Sequence, residues 1–285
     1  MPIFGRKKVI VGFSTGMIEI FSSDDLHCLT VLTYHNNKSS VTCLQCTGTE
    51  IIAGYGDGNI SIWNVERAIV LHNLHIRIGN DVQYEDYPCS MKWKNARLVI
   101  GSGQGRIKIW HYVSSSANLL KTWNVVDGGP LDMDCNENYV IVRPYRTNPV
   151  IIRVQLFNGQ EHRSITVEQG IESMALYADY LVTGGSDMIV RLWDVRTGAH
   201  LRELRAHKGF IATVDFQSDV FVTADQGGRI IIWNLRAALA GEPAELTTFY
   251  RSGSLKVVII KLGSNFLVSS SYSPANGIEV TDFAQ

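Results

Sequence analysis

The residue patterns best suited to chemistry in this 285-residue chain are few, and each has a plainer structural counterpart. Cys43 and Cys46 form one Cys-x-x-Cys inside VTCLQCT. Metal and disulfide chemistry both need thiols that converge on a point. On a strand, an offset of three residues sends the two thiols to opposite faces, and no second pair follows, so they read as small buried hydrophobes. GSGQGR (101–106) has the glycines of a phosphate loop. A strand follows it instead of a helix N-terminus, which leaves a hairpin turn. His72 and His75 have metal-like spacing but lack a third ligand. Asp132 and Asp134 share a strand face and could act as acid and base, yet nothing marks a substrate pocket beside them. Asn37-Lys-Ser and Asn59-Ile-Ser match the glycosylation sequon, which has meaning only behind a secretory signal. No nucleophile–base spacing stands out. The chain reads as a non-enzyme with no metal and no cofactor.

The sharpest feature is RPYRT, in which Arg143 and Arg146 flank Tyr145 beside Pro144. Guanidinium forks match carboxylate and phosphate oxygens in a bidentate way. The two arginines are therefore expected to anchor an acidic or phosphorylated segment of a partner protein.

These residues need a framework, and composition bounds it. Twenty-six Lys+Arg against 27 Asp+Glu give a net charge of -1, with 45% hydrophobic residues. That balance excludes a disordered chain and gives no electrostatic case for nucleic acid or an anionic membrane. No apolar run approaches the roughly 18 residues of a spanning helix, and the N-terminus is too polar for a signal peptide. Five cysteines do not make a disulfide framework, which suggests reduced thiols in an intracellular compartment, cytoplasmic and/or nuclear.

One unit recurs along the chain: an apolar run, a Gly/Asp turn, an alternating run and an aromatic at its end. It appears as IIAGYGDGNISIWNV (51–65), LVIGSGQGRIKIWHY (98–112), LVTGGSDMIVRLWDV (181–195) and VFVTADQGGRIIIWNL (220–235). Trp63, Trp110, Trp193 and Trp233 are separated by 47, 83 and 40 residues, and 83 spans two periods. YVIVRPYRTNPVIIRVQLF (139–157) fills the gap, with Val154 near the Trp position. Outward, VIVGFSTGMIEIF (9–21) and FLVSSSYSPANGIEVTDF (266–283) place Phe21 and Thr281 there. The spacing is about 43 residues, within the propeller range of ~40–45. Two further strand-like runs lie between successive hairpins, giving four strands per period. The expected fold is all-β: one seven-bladed β-propeller over 1–285, a monomer with four-stranded antiparallel blades. Its blade cores lie near 9–21, 41–65, 89–112, 130–156, 171–195, 211–235 and 255–283. LRAALAGEPAEL (235–246), broken by Gly241 and Pro243, reads as loop.

The endings WNVE, WDVRTG and WNLR, each after a Gly/Ser/Asp turn, resemble WD repeats over essentially the whole chain. The resemblance implies a His–Ser/Thr–Asp–Trp hydrogen-bond set in each blade, which this chain fills in part. The second blade offers His35, Asp57 and Trp63, with Ala53 at the hydroxyl position. The fifth offers Thr183, Asp187 and Trp193, with Glu168–Gly170 where a histidine is expected. The sixth offers His207, Thr223 and Trp233, with its carboxylate, Asp225, two places early. With strands labelled a to d outward, the chain begins at strand b of blade one and ends at strand c of blade seven. Blades one and seven are thus expected to lack strands a and d. Either the chain is N-terminally shortened by about 20–25 residues, from ~5–6 residues per strand, or two blades have three strands.

In such a meander the b–c and d–a turns share one rim. Tyr55, Arg143, Tyr145, Arg146, Asp187 and Tyr272 come from the first kind, and Lys208, Phe210 and Arg251 from the second. Aromatics and arginines are enriched at binding hot spots, so this rim is the expected partner-binding surface. The insertion HIRIGNDVQYEDYPC (75–89) either shields a sector of it or binds independently.

The cadence of VTCLQCTGTEIIAGYGDGNISIWNVE and SMALYADYLVTGGSDMIVRLWDVRTG looks like the repeats of F-box/WD-repeat proteins. That resemblance implies a substrate receptor of a cullin-type ubiquitin ligase, attached to the ligase adaptor only if an F-box lies upstream. The alternative is a general WD-repeat scaffold in a signalling, trafficking or RNA-processing assembly.

Overall fold

The computed structural model describes residues 8–22, 25–34, 39–47, 49–76, 86–113, 116–125, 131–144, 150–168, 170–250, 257–262, 266–271 and 278–282. Thr47, Leu131 and all residues after 250 are described by backbone alone. Of the expected site residues, His35, Tyr145, Arg146, Arg251 and Tyr272 lie outside the described residues, as does most of the 75–89 insertion.

Every sheet is an antiparallel meander in chain order. The first holds β1 (Lys8–Gly12), β2 (Met17–Ser22) and β3 (Cys28–Thr33). The second holds β4 (Val41–Thr47), β5 (Glu50–Tyr55), β6 (Asn59–Asn64) and β7 (Ile69–His75). The third holds β8 (Pro88–Lys94), β9 (Arg97–Ser102), β10 (Arg106–Val113) and β11 (Ser116–Asn124). The fourth holds β12 (Leu131–Cys135), β13 (Tyr139–Pro144), β14 (Val150–Leu156) and β15 (Glu161–Val167). The fifth holds β16 (Ile171–Tyr177), β17 (Tyr180–Gly185), β18 (Val190–Asp194) and β19 (His200–Leu204). The sixth holds β20 (Ile211–Gln217), β21 (Val220–Asp225), β22 (Arg229–Asn234) and β23 (Glu245–Tyr250). The last holds β24 (Val257–Leu262), β25 (Phe266–Ser271) and β26 (Ile278–Asp282).

The expected count of seven blades is corrected to six. The 26 strands form five four-stranded sheets and two three-stranded ones, too few strands for seven complete blades. The repeat beat counts hairpins, and the first and last hairpins each gain only one further strand. The sheets at 8–33 and 257–282 are accordingly three-stranded.

The chain divides into two compact units, residues 1–137 and 138–285. In the first, Ile18, Ile20 and Leu32 pack with Ile51, Ala53 and Trp63, while Ile52, Ile60 and Ile62 pack with Leu98, Ile100 and Trp110. In the second, Ile152, Val154 and Ile165 pack with Met174, Leu181 and Trp193, while Val182 and Leu192 pack with Ile211, Phe221 and Trp233. Sheets in each unit therefore meet face to face. This buries β5 and β18 on both faces, where alternation alone suggested half-buried strands. The outermost strands carry the exposure, as in β11 and β19.

Two irregularities mark the repeat. The pairing of the third strand with the fourth shifts register at Ile62/Trp63, Ile109/Trp110, Leu192/Trp193 and Ile232/Trp233. The same shift falls at Ile20/Phe21, supporting the placement of Phe21 in the Trp position. A bulge there re-aims the large ring into the neighbouring sheet. Second, a Cβ on Gly184 would sit 2.3 Å from Ile211 Cγ2, and one on Gly54 2.6 Å from Pro88 Cγ. These glycines let the next sheet approach the strand backbone closely.

The segment read as loop at 235–246 begins with a helix, α1 (Leu235–Ala240). Asn234 caps it by accepting from Ala237 N, and Leu235 and Ala238 are buried. Gly241, at φ 81, ends it in the left-handed region. The glycine taken as an interruption is the helix stop.

Candidate interaction surface

The b–c turn of the β20–β23 sheet shows how the fold builds a rim. Thr223 Oγ1 accepts from Trp233 Nε1 at 2.8 Å and lies 2.6 Å from His207 Nε2. His207 Nδ1 stands 2.9 Å from Asp225 Oδ2. The hydroxyl therefore donates to Nε2, and Nδ1–H donates to the carboxylate. His207, Thr223 and Asp225 are all buried, so each polar atom needs its partner. Asp225 Oδ1 accepts from Gly227 N at 2.9 Å and Arg229 N at 3.0 Å. Burial alone would raise the Asp225 pKa, but the His207 hydrogen bond and the backbone amides outweigh it and lower it. Asp225 is thus not displaced from its role: the turn it closes aims one oxygen at the amides and the other at the imidazole.

This network pins an exposed loop. Lys208 N donates to Asp225 Oδ2 at 3.4 Å, and Gln226 N donates to Phe210 O at 2.9 Å. Lys208 is exposed and Phe210 is 49% exposed, directly after the fully enclosed His207 ring. These two members of the expected rim stand on the surface.

Other members do not. Tyr55 is fully buried and stacks on Tyr34 at 4.7 Å, and burial pushes its phenol up to about 12. Arg143 is 4% exposed, donating to Ile171 O at 2.9 Å and Glu172 O at 3.1 Å. The expectation that Tyr55 and Arg143 face a partner is corrected. Both close a strand instead of occupying a turn, and Arg143 ties β13 to β16. Asp187 is committed to Arg191, whose guanidinium nitrogen stands 2.6 Å from Asp187 Oδ2.

The hydrogen-bond set varies from sheet to sheet. Trp193 Nε1 donates to Thr183 Oγ1 at 3.0 Å, as expected. In the β4–β7 sheet, Ala53 offers no hydroxyl, and Trp63 Nε1 and Tyr55 Oη are buried without a well-formed hydrogen bond, Tyr55 facing Trp63 and Ser61. Asp57 instead caps its own turn, accepting from Asn59 N at 3.0 Å. Trp110 is buried beside Lys108, whose ammonium lies 5.9 Å from the ring centroid and donates to Ile76 O.

The thiols look structural. Burial pushes Cys43 and Cys135 up to about 12, far from thiolate reactivity. Cys46, read as buried, is exposed. Asp134 is held by Lys92 at 3.1 Å. Among the described residues, no three His, Cys, Asp or Glu side chains converge as a metal site. No helix among them is long and apolar enough to cross a membrane.

Residues 26–64 and 163–194 match the family model "WD domain, G-beta repeat". The chain is 27% identical over 240 residues to "p21-activated protein kinase-interacting protein 1-like" of Gallus gallus, covering 80% of this chain and 61% of that protein. It is 25% identical over 238 residues to "Protein ROOT INITIATION DEFECTIVE 3" of Arabidopsis thaliana, covering 74% of this chain and 52% of that protein. The chain thus spans between about half and three fifths of the length of these relatives. Among solved structures, a chain of "Crystal Structure of Mitotic Checkpoint Complex" aligns with TM-score 0.74 at 12% identity, over 100% of this chain and 90% of that one. The computationally designed Ika8 protein aligns with TM-score 0.73 at 21% identity, over 98% of this chain and 82% of its own. Two segments of the chain are thus similar to WD repeats, the repeat unit of a β-propeller.

Proposed function

We propose that the chain is a non-enzymatic interaction scaffold, a single binding domain over 1–285 that holds protein partners on the rim presenting Lys208 and Phe210. One observation carries this: an exposed aromatic and an exposed cation sit on a loop fixed from beneath by the buried His207–Thr223–Asp225 network. A loop ordered in advance loses little entropy when a partner binds, and a half-exposed phenylalanine supplies apolar area to bury. With Arg143 committed internally, Lys208 is the described cation that would meet an acidic or phosphorylated segment. The name of the Gallus gallus relative makes a protein kinase the first partner to try.

The test is affinity capture from cells with the wild-type chain and with a Lys208→Glu, Phe210→Ala double variant. The rim reading expects specific partners on the wild type and their loss on the variant; equal recovery on both would remove it. The finer reading, a substrate receptor of a cullin-type ubiquitin ligase, expects a cullin or ligase adaptor among those proteins. Their absence leaves the scaffold reading.

A further inference from the structure

Within the unit 138–285, β15, β18 and β19 line an open cleft of about 710 Å³. That volume lies in the ~300–1,000 Å³ range of ligand pockets. Val167, Ile189 and Trp193 give its apolar lining, and His200 packs on the Trp193 ring with centroids 4.8 Å apart. The charged lining is Glu168, Asp187, Glu203, Arg191 and Arg205, three carboxylates against two guanidiniums. Both guanidiniums are already engaged. Arg191 pairs with Asp187 at 2.6 Å and with Glu203 at 3.3 Å. Arg205 pairs with Glu203 at 2.5 Å. Glu168 is exposed and enters no ion pair among the described residues. The cleft is therefore apolar below and carries one negative charge in excess at its margin.

We propose that this cleft takes an arginine or lysine side chain from an extended segment of a protein partner, a site separate from the Lys208–Phe210 rim. A long basic side chain fits both features: its methylene stem covers Val167 and Ile189, and its charged head reaches the Glu168 carboxylate. An anionic occupant would meet guanidiniums whose charge is already offset by Asp187 and Glu203. The proposal rests on the interaction-scaffold reading but is measured independently of it.

The test uses the full chain and two fluorescein-labelled probes, a tetra-arginine and a tetra-glutamate peptide, followed by anisotropy at low and moderate salt. Tetra-arginine is expected to bind saturably and to weaken with salt. Glu168→Lys should weaken it about threefold to tenfold and Arg205→Glu should tighten it by a similar factor, as for partly exposed charges. Both side chains are exposed, and circular dichroism confirms that the variants fold. Failure of tetra-arginine to saturate, indifference to both substitutions, or tighter binding of tetra-glutamate would each overturn the cleft assignment. The Lys208→Glu, Phe210→Ala variant should leave this titration unchanged, so loss of the rim and loss of the cleft give different results.

Discussion

The β20–β23 and β4–β7 sheets share one strand plan and one buried tryptophan, yet they satisfy it differently. In the first, Trp233, Thr223, His207 and Asp225 form an unbroken chain of hydrogen bonds from the interior to the rim. In the second, Ala53 breaks that chain at its centre, and Trp63 Nε1 and Tyr55 Oη face each other without a well-formed hydrogen bond. Apolar burial is comparable, since Ile60, Ile62 and Trp63 are as enclosed as Ile230, Ile231 and Trp233. The difference lies in polar satisfaction, and it separates a strand set that also fixes a surface loop from one that only fills space.

The largest expected effect is His207→Ala. It removes the imidazole that joins Asp225 Oδ2 to the Thr223 hydroxyl, two buried hydrogen bonds of which one meets a carboxylate, and should cost about 3 kcal/mol in denaturant-induced unfolding. Next is a contrast between tryptophans. Trp233→Phe removes a hydrogen bond that the buried Thr223 hydroxyl accepts, while Trp63→Phe removes a donor without a well-formed hydrogen bond. The first should therefore cost about 1 kcal/mol more in the same assay. Equal costs would break the comparison. Ala53→Ser tests it from the other side: a hydroxyl offered to Trp63 Nε1 should raise protection of the β5 and β6 amides by about 1 kcal/mol in hydrogen exchange. The smallest effect is one of pH. The Asp225 pKa is lowered in the fold, so the unfolded chain binds more protons in the acid range. Its contribution is therefore complete above the ordinary carboxylate value and is lost as pH falls through the folded value. Asp225→Asn should flatten that part of the acid-unfolding curve.

Much of the framework was legible because it is written in local chemistry. Turn glycines, alternating β-branched runs and a terminal tryptophan specify each hairpin, and the Thr183–Trp193 and Thr223–Trp233 pairs were implied by the resemblance to WD repeats. What was not legible depended on long side chains and on three-dimensional closure. RPYRT suggested an exposed arginine fork, but Arg143 still belongs to β13 and its reach ends on the carbonyls of Ile171 and Glu172. The apolar run YVIV just before it was the available sign that the position lay in a buried strand. Asp225 looked misplaced because linear spacing ignores the turn that folds its carboxylate back toward His207. The blade count failed because hairpins recur in sequence, whereas the first and last hairpins each gain only one further strand and fall short of a complete blade.

The most direct test is amide hydrogen exchange at Gln226, whose N–H bonds Phe210 O, in wild type and His207→Ala. If the buried network holds the rim loop, exchange there should quicken about a hundredfold, the equivalent of roughly 3 kcal/mol. Unchanged protection at Gln226 would mean that the loop is ordered by something else, and that the network and the binding rim are unconnected.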